Sequence, residues 1–97
     1  MKRRQGAAEE ISYWKNALQE GVDFVLSEGS RVKQLIQATA SLSQPEVRKR
    51  ELRALLKAGK ELRCGNLVVV TLDHEATEVH GGARVRFVPL WKWLLRE

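Results

Sequence analysis

A mixed α/β domain is the fold class this sequence predicts, and three observations predict it. Two apolar, β-branched segments, Val22-Asp-Phe-Val-Leu-Ser-Glu and Val32-Lys-Gln-Leu-Ile-Gln-Ala-Thr-Ala, flank Gly29-Ser30 as the arms of a hairpin do. An amphipathic stretch from Ser43 to about Arg63 then repeats leucines at helical spacing. Finally, Asn66-Leu-Val-Val-Val-Thr-Leu-Asp is almost continuously apolar, the pattern of a strand covered on both faces and entered through a crossover helix.

The 97 residues, 43% hydrophobic and 30% charged, provide for one core and not two. Residues 1–10 read as a flexible or helical N-terminal segment and residues 11–97 as one domain. Ile11 to Trp14 has the loose alternation of a short strand, and Lys15 to Gly21 reads as a turn. A three-residue loop Gly29-Ser30-Arg31 sets Glu28 against Val32, Phe24 against Ile36 and Val22 against Ala38. Asp23 then faces Gln37, and those two share a face with Val25, Leu35 and Thr39.

Ser43-Gln-Pro-Glu46 reads as a capping box with Pro45 in the first turn. Leu52, Leu55, Leu56, Gly59 and Leu62 form the buried stripe of the helix, and Gly65 stands where a stop is expected. Lys49, Arg53, Lys57 and Lys60 lie four, four and three residues apart and make a basic ridge on the other side. Residues 44–63 hold seven basic and three acidic residues, so +4 of the chain's net +5 is concentrated there. Beyond the central strand, Glu78–His80 and Ala83–Val88 suggest a hairpin around Gly81-Gly82, with Val85 and Phe87 inward and Arg84 and Arg86 outward. Pro89 starts a short helix in which Leu90, Trp91, Leu94 and Leu95 pack back. Trp91 and Trp93 cannot share one face, so one tryptophan is left for a partner, a sister subunit or an ATPase module.

The single cysteine, Cys64, excludes an internal disulfide and multi-cysteine zinc sites, and points to a reducing compartment. No stretch has the apolar length of a signal peptide core or a membrane span, so the expectation is a cytoplasmic protein with no membrane partner. His74 and His80 read as strand-end and turn residues, and Cys64 as a buried helix-end residue. No Gly-x-Ser-x-Gly nucleophile elbow and no Walker A phosphate loop occurs.

The element order, with Asp23 on the second strand and Gln37-Ala38-Thr39 opposite it, resembles the PD-(D/E)XK nuclease fold. There, two carboxylates on adjacent strands hold Mg²⁺ and a lysine orients the attacking water. Tyr13-Trp14, Gly21-Val22-Asp23-Phe24-Val25, the run from Arg48 to Lys57 and Val85-Arg-Phe-Val-Pro-Leu-Trp-Lys-Trp-Leu-Leu also resemble the C-terminal domain of a family of archaeal AAA+ ATPases, itself similar to that fold. The resemblance implies Asp23 as a first metal position and Glu9 or Glu10 as an acid on a preceding helix. Gln37 and Thr39 depart from the acid-x-Lys signature, so the implied site is degenerate. The expectation is a non-cleaving accessory domain for DNA binding, along Lys49, Arg53, Lys57 and Lys60, or for protein interaction. One alternative is a Mg²⁺- or Mn²⁺-dependent DNA endonuclease using Asp23, Glu10 and Gln37. The other is a structural homo-oligomerisation module pairing through Trp91 and Trp93.

Overall fold

The computed structural model describes residues 9–39 and 44–95. Its elements are β1 (Glu9–Lys15), β2 (Gly21–Glu28), β3 (Arg31–Ala38), α1 (Pro45–Leu62), β4 (Leu67–Thr71), β5 (Ala76–His80), β6 (Ala83–Pro89) and α2 (Leu90–Leu95). Six strands form one mixed sheet in the order β1-β2-β3-β4-β6-β5. β4 runs parallel to both β3 and β6, and the outer pairs are antiparallel. The α/β class, the hairpin and the crossover helix therefore stand as the sequence predicts.

The hairpin reaches the expected register by an unexpected route. Glu28 pairs with Arg31 across a two-residue turn, Gly29-Ser30, in which Gly29 takes a positive φ of 65°. A two-residue loop would shift every later pair by one, but Lys33 bulges out of β3 and restores the phase, so Phe24 still faces Ile36. A second bulge lies on β2, where Ser12 pairs with Val25 and Trp14 with Val22, leaving Asp23 and Phe24 together opposite Tyr13. This extra residue turns Val22 back toward the helix, where it joins Val25 and Leu35 in the main core. The expected placement of Val22 with Phe24 is corrected accordingly.

Strand β4 is buried at all five positions, as a strand between two parallel neighbours must be. On one side α1 packs Leu52, Ala54, Leu55 and Ala58 against Trp14, Leu35, Leu67, Val69, Val85 and Phe87. Val85 and Phe87 point inward and Arg84 and Arg86 outward, as alternation requires. On the other side Ile36, Val68 and Val70 form a smaller cluster under Leu26, Val88 and Trp93.

Several boundaries differ from the sequence reading: Pro89, expected to start the last helix, is the last residue of β6, and α2 begins at Leu90. Glu9 and Glu10 belong to β1, and residues 1–8 lie outside the described residues. The N-cap of α1 is Gln44, which makes no side-chain cap bond, while Ser43 lies outside the described residues. Helix α1 stops at Arg63, in the left-handed conformation at φ 57°, before Gly65 is reached.

At that stop Cys64 donates its N–H to the Gly59 carbonyl at 2.9 Å, folding the chain back over the helix end. A Cβ on Gly59 would sit 2.9 Å from the Cys64 carbonyl oxygen and 3.1 Å from Leu67 Cδ2. In an open helix Gly→Ala gains up to ~1 kcal/mol, but here a backbone oxygen cannot yield as a side chain can. Gly59→Ala is therefore expected to destabilise the domain by about 1–3 kcal/mol, measured as a fall in the chemical denaturation midpoint.

Candidate functional site

Where β2 and β3 meet the start of α1, the β2–β3 ladder ends at Phe24–Ile36 and side chains take over its next rungs. The Asp23 backbone N–H donates to Gln37 Oε1 at 2.9 Å, and the Ala38 N–H donates to Asp23 Oδ2 at 2.9 Å. Gln37 Nε2 donates to the carbonyls of Gly21 at 2.8 Å and Glu51 at 3.2 Å. Asp23 and Gln37 thus come together as the sequence reading expects, but each replaces a main-chain partner of the other strand. The Gln37 side chain is essentially fully buried, and its amide is bonded at both ends.

The second acid beside Asp23 comes from α1. Glu51 lines the same groove as Asp23, together with Tyr13, Glu20, Gly21 and Arg50. Burial, and after it the negative charge of Asp23, push the Glu51 carboxyl above its ordinary range, while Arg50 opposes them. Glu51 Oε1 is buried without a hydrogen-bond partner. Sequence reading passed over this residue, although Glu51 precedes Ala54, Leu55 and Ala58 by three, four and seven positions. An acid on the apolar stripe of a helix is the signal that would have found it.

Glu10 does not join the site. It lies in β1 rather than on a helix, opposite Ser27, four positions along β2 from Asp23. A strand rises roughly 3.3 Å per residue, so it sits more than 10 Å from that carboxylate along the sheet. Thr39 continues β3, its N–H donating to the Val70 carbonyl at 2.9 Å. Among the described residues no group of three or more His, Cys, Asp or Glu is arranged to hold a metal.

The basic ridge is exposed along its length, at Lys49, Arg53, Lys57 and Lys60. Its middle is tied inward, because Lys57 Nζ lies 2.7 Å and Arg53 Nη1 3.7 Å from the buried carboxylate of Glu20. Hydrogen bonds from Lys57 and Asn16 hold Glu20 below the usual carboxylate range against the effect of its burial. Asn16 also shapes the β1–β2 turn, since its Oδ1 accepts from the N–H groups of Leu18 and Glu20. The Trp14 indole N–H reaches Glu61 Oε2 at 3.3 Å, so this turn is fastened to α1 at two levels. Among the described residues no ion pair holds Lys49 or Lys60.

At the far end of the sheet, α2 reverses the expected packing. Trp93 covers the second cluster, whereas Leu90, Trp91, Leu94 and Leu95 are exposed and no α2 residue is fully buried. A helix starting directly from the last residue of β6 has only one side available to the sheet, and its phase there presents Trp93. His74 packs edge-on against Phe87 with ring centroids 5.5 Å apart, and its N–H donates to Thr71 Oγ1, which fits the strand-end role. His80 bonds Glu78 at 2.8 Å in the hairpin, and Cys64 is buried at the helix end.

Three variants test this joint. Gln37→Glu introduces a carboxyl in place of the amide and turns two donated bonds into acceptors facing the Gly21 and Glu51 carbonyls. A loss of about 2–4 kcal/mol is expected in equilibrium unfolding, growing as pH rises and the new carboxyl ionises, with no Mg²⁺-dependent rise in Tm. For Glu51 the folded-state pKa is raised above 4.5, so its contribution favours the fold at low pH and is lost as pH climbs through the folded value. Glu51→Gln is therefore expected to be more stable than the parent at neutral pH, the gap closing near pH 4.5. In Asp23→Asn, the Glu51 carboxyl should titrate at lower pH by carbon NMR.

Comparison of the chain with protein-family models, with curated proteins and with solved structures finds no match.

Proposed function

We propose that this chain is a non-cleaving, nuclease-like accessory domain that works through contact with a protein partner, in the manner of the C-terminal region of archaeal AAA+ ATPases. The observation that carries the reading is α2. Its Trp91, Leu94 and Leu95 are 59%, 65% and 75% exposed, while Trp93 and the Lys92–Glu75 ion pair hold the helix on the domain. A short helix displaying apolar side chains on a fixed base is suited to an apolar groove on another protein.

The Asp23 joint supports the non-cleaving half of the reading. Mg²⁺ asks for several oxygen ligands in near-octahedral array, yet Gln37 Oε1 already accepts from Asp23 N–H and Asp23 Oδ2 from Ala38 N–H. The donors present do not fit such an ion, and no step is routed through one. DNA contact along α1 is a second reading, favoured by the exposed Lys49 and Lys60 but weakened by Glu20, which neutralises part of the ridge between them.

Titration with an archaeal AAA+ ATPase module is expected to blue-shift the tryptophan emission as Trp91 loses water. Trp91→Lys and Leu94→Lys should weaken that binding by about tenfold or more while leaving the thermal melt unchanged. Unaltered affinity in both variants removes α2 as the contact. Supercoiled and branched DNA with Mg²⁺ or Mn²⁺ should stay intact at equal levels for the parent and Asp23→Ala. Cleavage lost only in the mutant would replace this reading with the endonuclease.

A further inference from the structure

The sheet ends on one side in β1 and on the other in β5 among the described residues. An edge strand presents a row of unpaired N–H and C=O groups, and proteins usually blunt it by brevity, proline, central charge or a cover. β5 is short at five residues and carries Glu78, which is engaged by Arg48 and His80. β1 has seven residues, Glu-Glu-Ile-Ser-Tyr-Trp-Lys, with no proline, no glycine and its charges confined to the ends. Ile11 and Tyr13 are 69% and 73% exposed, on the face away from α1, and half-exposed Phe24 lies beside them.

We propose that two copies of this chain pair edge to edge through β1, antiparallel about a two-fold axis passing through Ser12. A two-fold axis perpendicular to the sheet sets side chains of one face opposite each other, so it must pass through a residue position. Centring on Ser12 overlaps all seven residues. Glu9 then faces Lys15 of the second copy, Lys15 faces the other Glu9, and each Ile11 faces a Tyr13. Centring on Tyr13 sets Ile11 against Lys15, and centring on Ile11 sets Glu9 against Tyr13, so each leaves a charge opposite an apolar group. On the face away from α1 the Ser12-centred register alone matches charge with charge and apolar with apolar; on the other face Glu10 stands opposite Trp14, whose indole is turned onto Glu61 of α1. Glu9 keeps its 2.6 Å bond to Lys33 in this arrangement and receives Lys15 as a further cation. Ile11, Tyr13 and Phe24 of the two copies merge into one apolar patch across the join, and six strands from each copy form a continuous sheet. This interface uses an edge distinct from α2, so it stands or falls separately from the contact proposed there.

Sedimentation equilibrium of the full chain tests it. The parent is expected to show a concentration-dependent dimer. Tyr13→Lys, Glu9→Lys and Lys15→Glu should each raise the dimer Kd by at least about tenfold, with circular dichroism confirming the fold. The decisive arm mixes the two charge variants. Glu9→Lys carries two cations on the edge and Lys15→Glu two anions, so each repels itself but a heterodimer restores both opposite-charge pairs. Recovery of dimer on mixing supports the Ser12 register. A chain that is monomeric up to about 0.5 mM, a dimer untouched by Tyr13→Lys and Lys15→Glu, or variants that do not recover on mixing would each overturn it. A dimer weakened only by Trp91→Lys would move self-association to α2 and likewise end the proposal.

Discussion

Gln37 of β3 carries a primary amide into an interior where its partners are backbone polar groups of two other elements, β2 and α1. Each buried polar group left without a partner costs about 1–3 kcal/mol, so a site with one N–H donor and two carbonyl acceptors to satisfy admits few residues. Glutamine meets it, because its oxygen takes the Asp23 N–H while its nitrogen gives to Gly21 and Glu51. Those bonds fix the end of β2, the path of β3 and the first turns of α1 relative to one another. The groove that holds Asp23, Glu51 and Arg50 follows from that joint, as does the tilt that brings Lys57 and Arg53 over Glu20.

Much of this architecture is legible in the residues because the signals are local and redundant. The continuous apolar run of β4 and the Gly81-Gly82 turn, where both glycines take positive φ, each announce themselves within a few residues. The hairpin register is more instructive. The expected three-residue loop is absent, but Phe24 still meets Ile36, because the pairing of apolar faces constrains the ladder more strongly than the turn does. The Lys33 bulge absorbs the difference. No local rule reveals the β2 bulge at Asp23–Phe24, which depends on where Trp14 finds Glu61 and the core under α1.

The misreadings share a cause. The place of Glu51 and the buried face of α2 are hidden in the sequence because both depend on what lies across a tertiary contact. On α1 the apolar stripe is wide, and an acid at its edge is half in the core and half in a groove. On α2 six residues supply too little periodicity to choose a side, so the sheet chooses it by accepting Trp93 between Ile36, Val68, Val70 and Val88. The start of α1 is a separate case: a proline at the first turn fixes the helix start with or without a side-chain cap, and Gln44 needs only its carbonyl there, which accepts from the Arg48 N–H.

The two faces of the sheet are covered unequally, and that inequality orders the rest of the surface. An 18-residue helix covers one face and brings with it the charges that satisfy Glu20 and Glu78. A six-residue helix touches the other at a single tryptophan, toward the β4–β6 side. Apolar residues on that second face are therefore buried in the middle, at Ile36 and Val68, and exposed toward β1, at Phe24, Tyr13 and Ile11. Exposure of this kind in a small basic domain is not needed for folding, since the α1 core is complete without it. It concentrates unsatisfied apolar area at one strand edge and one terminal helix, the two places where another chain can approach without disturbing the Gln37 joint.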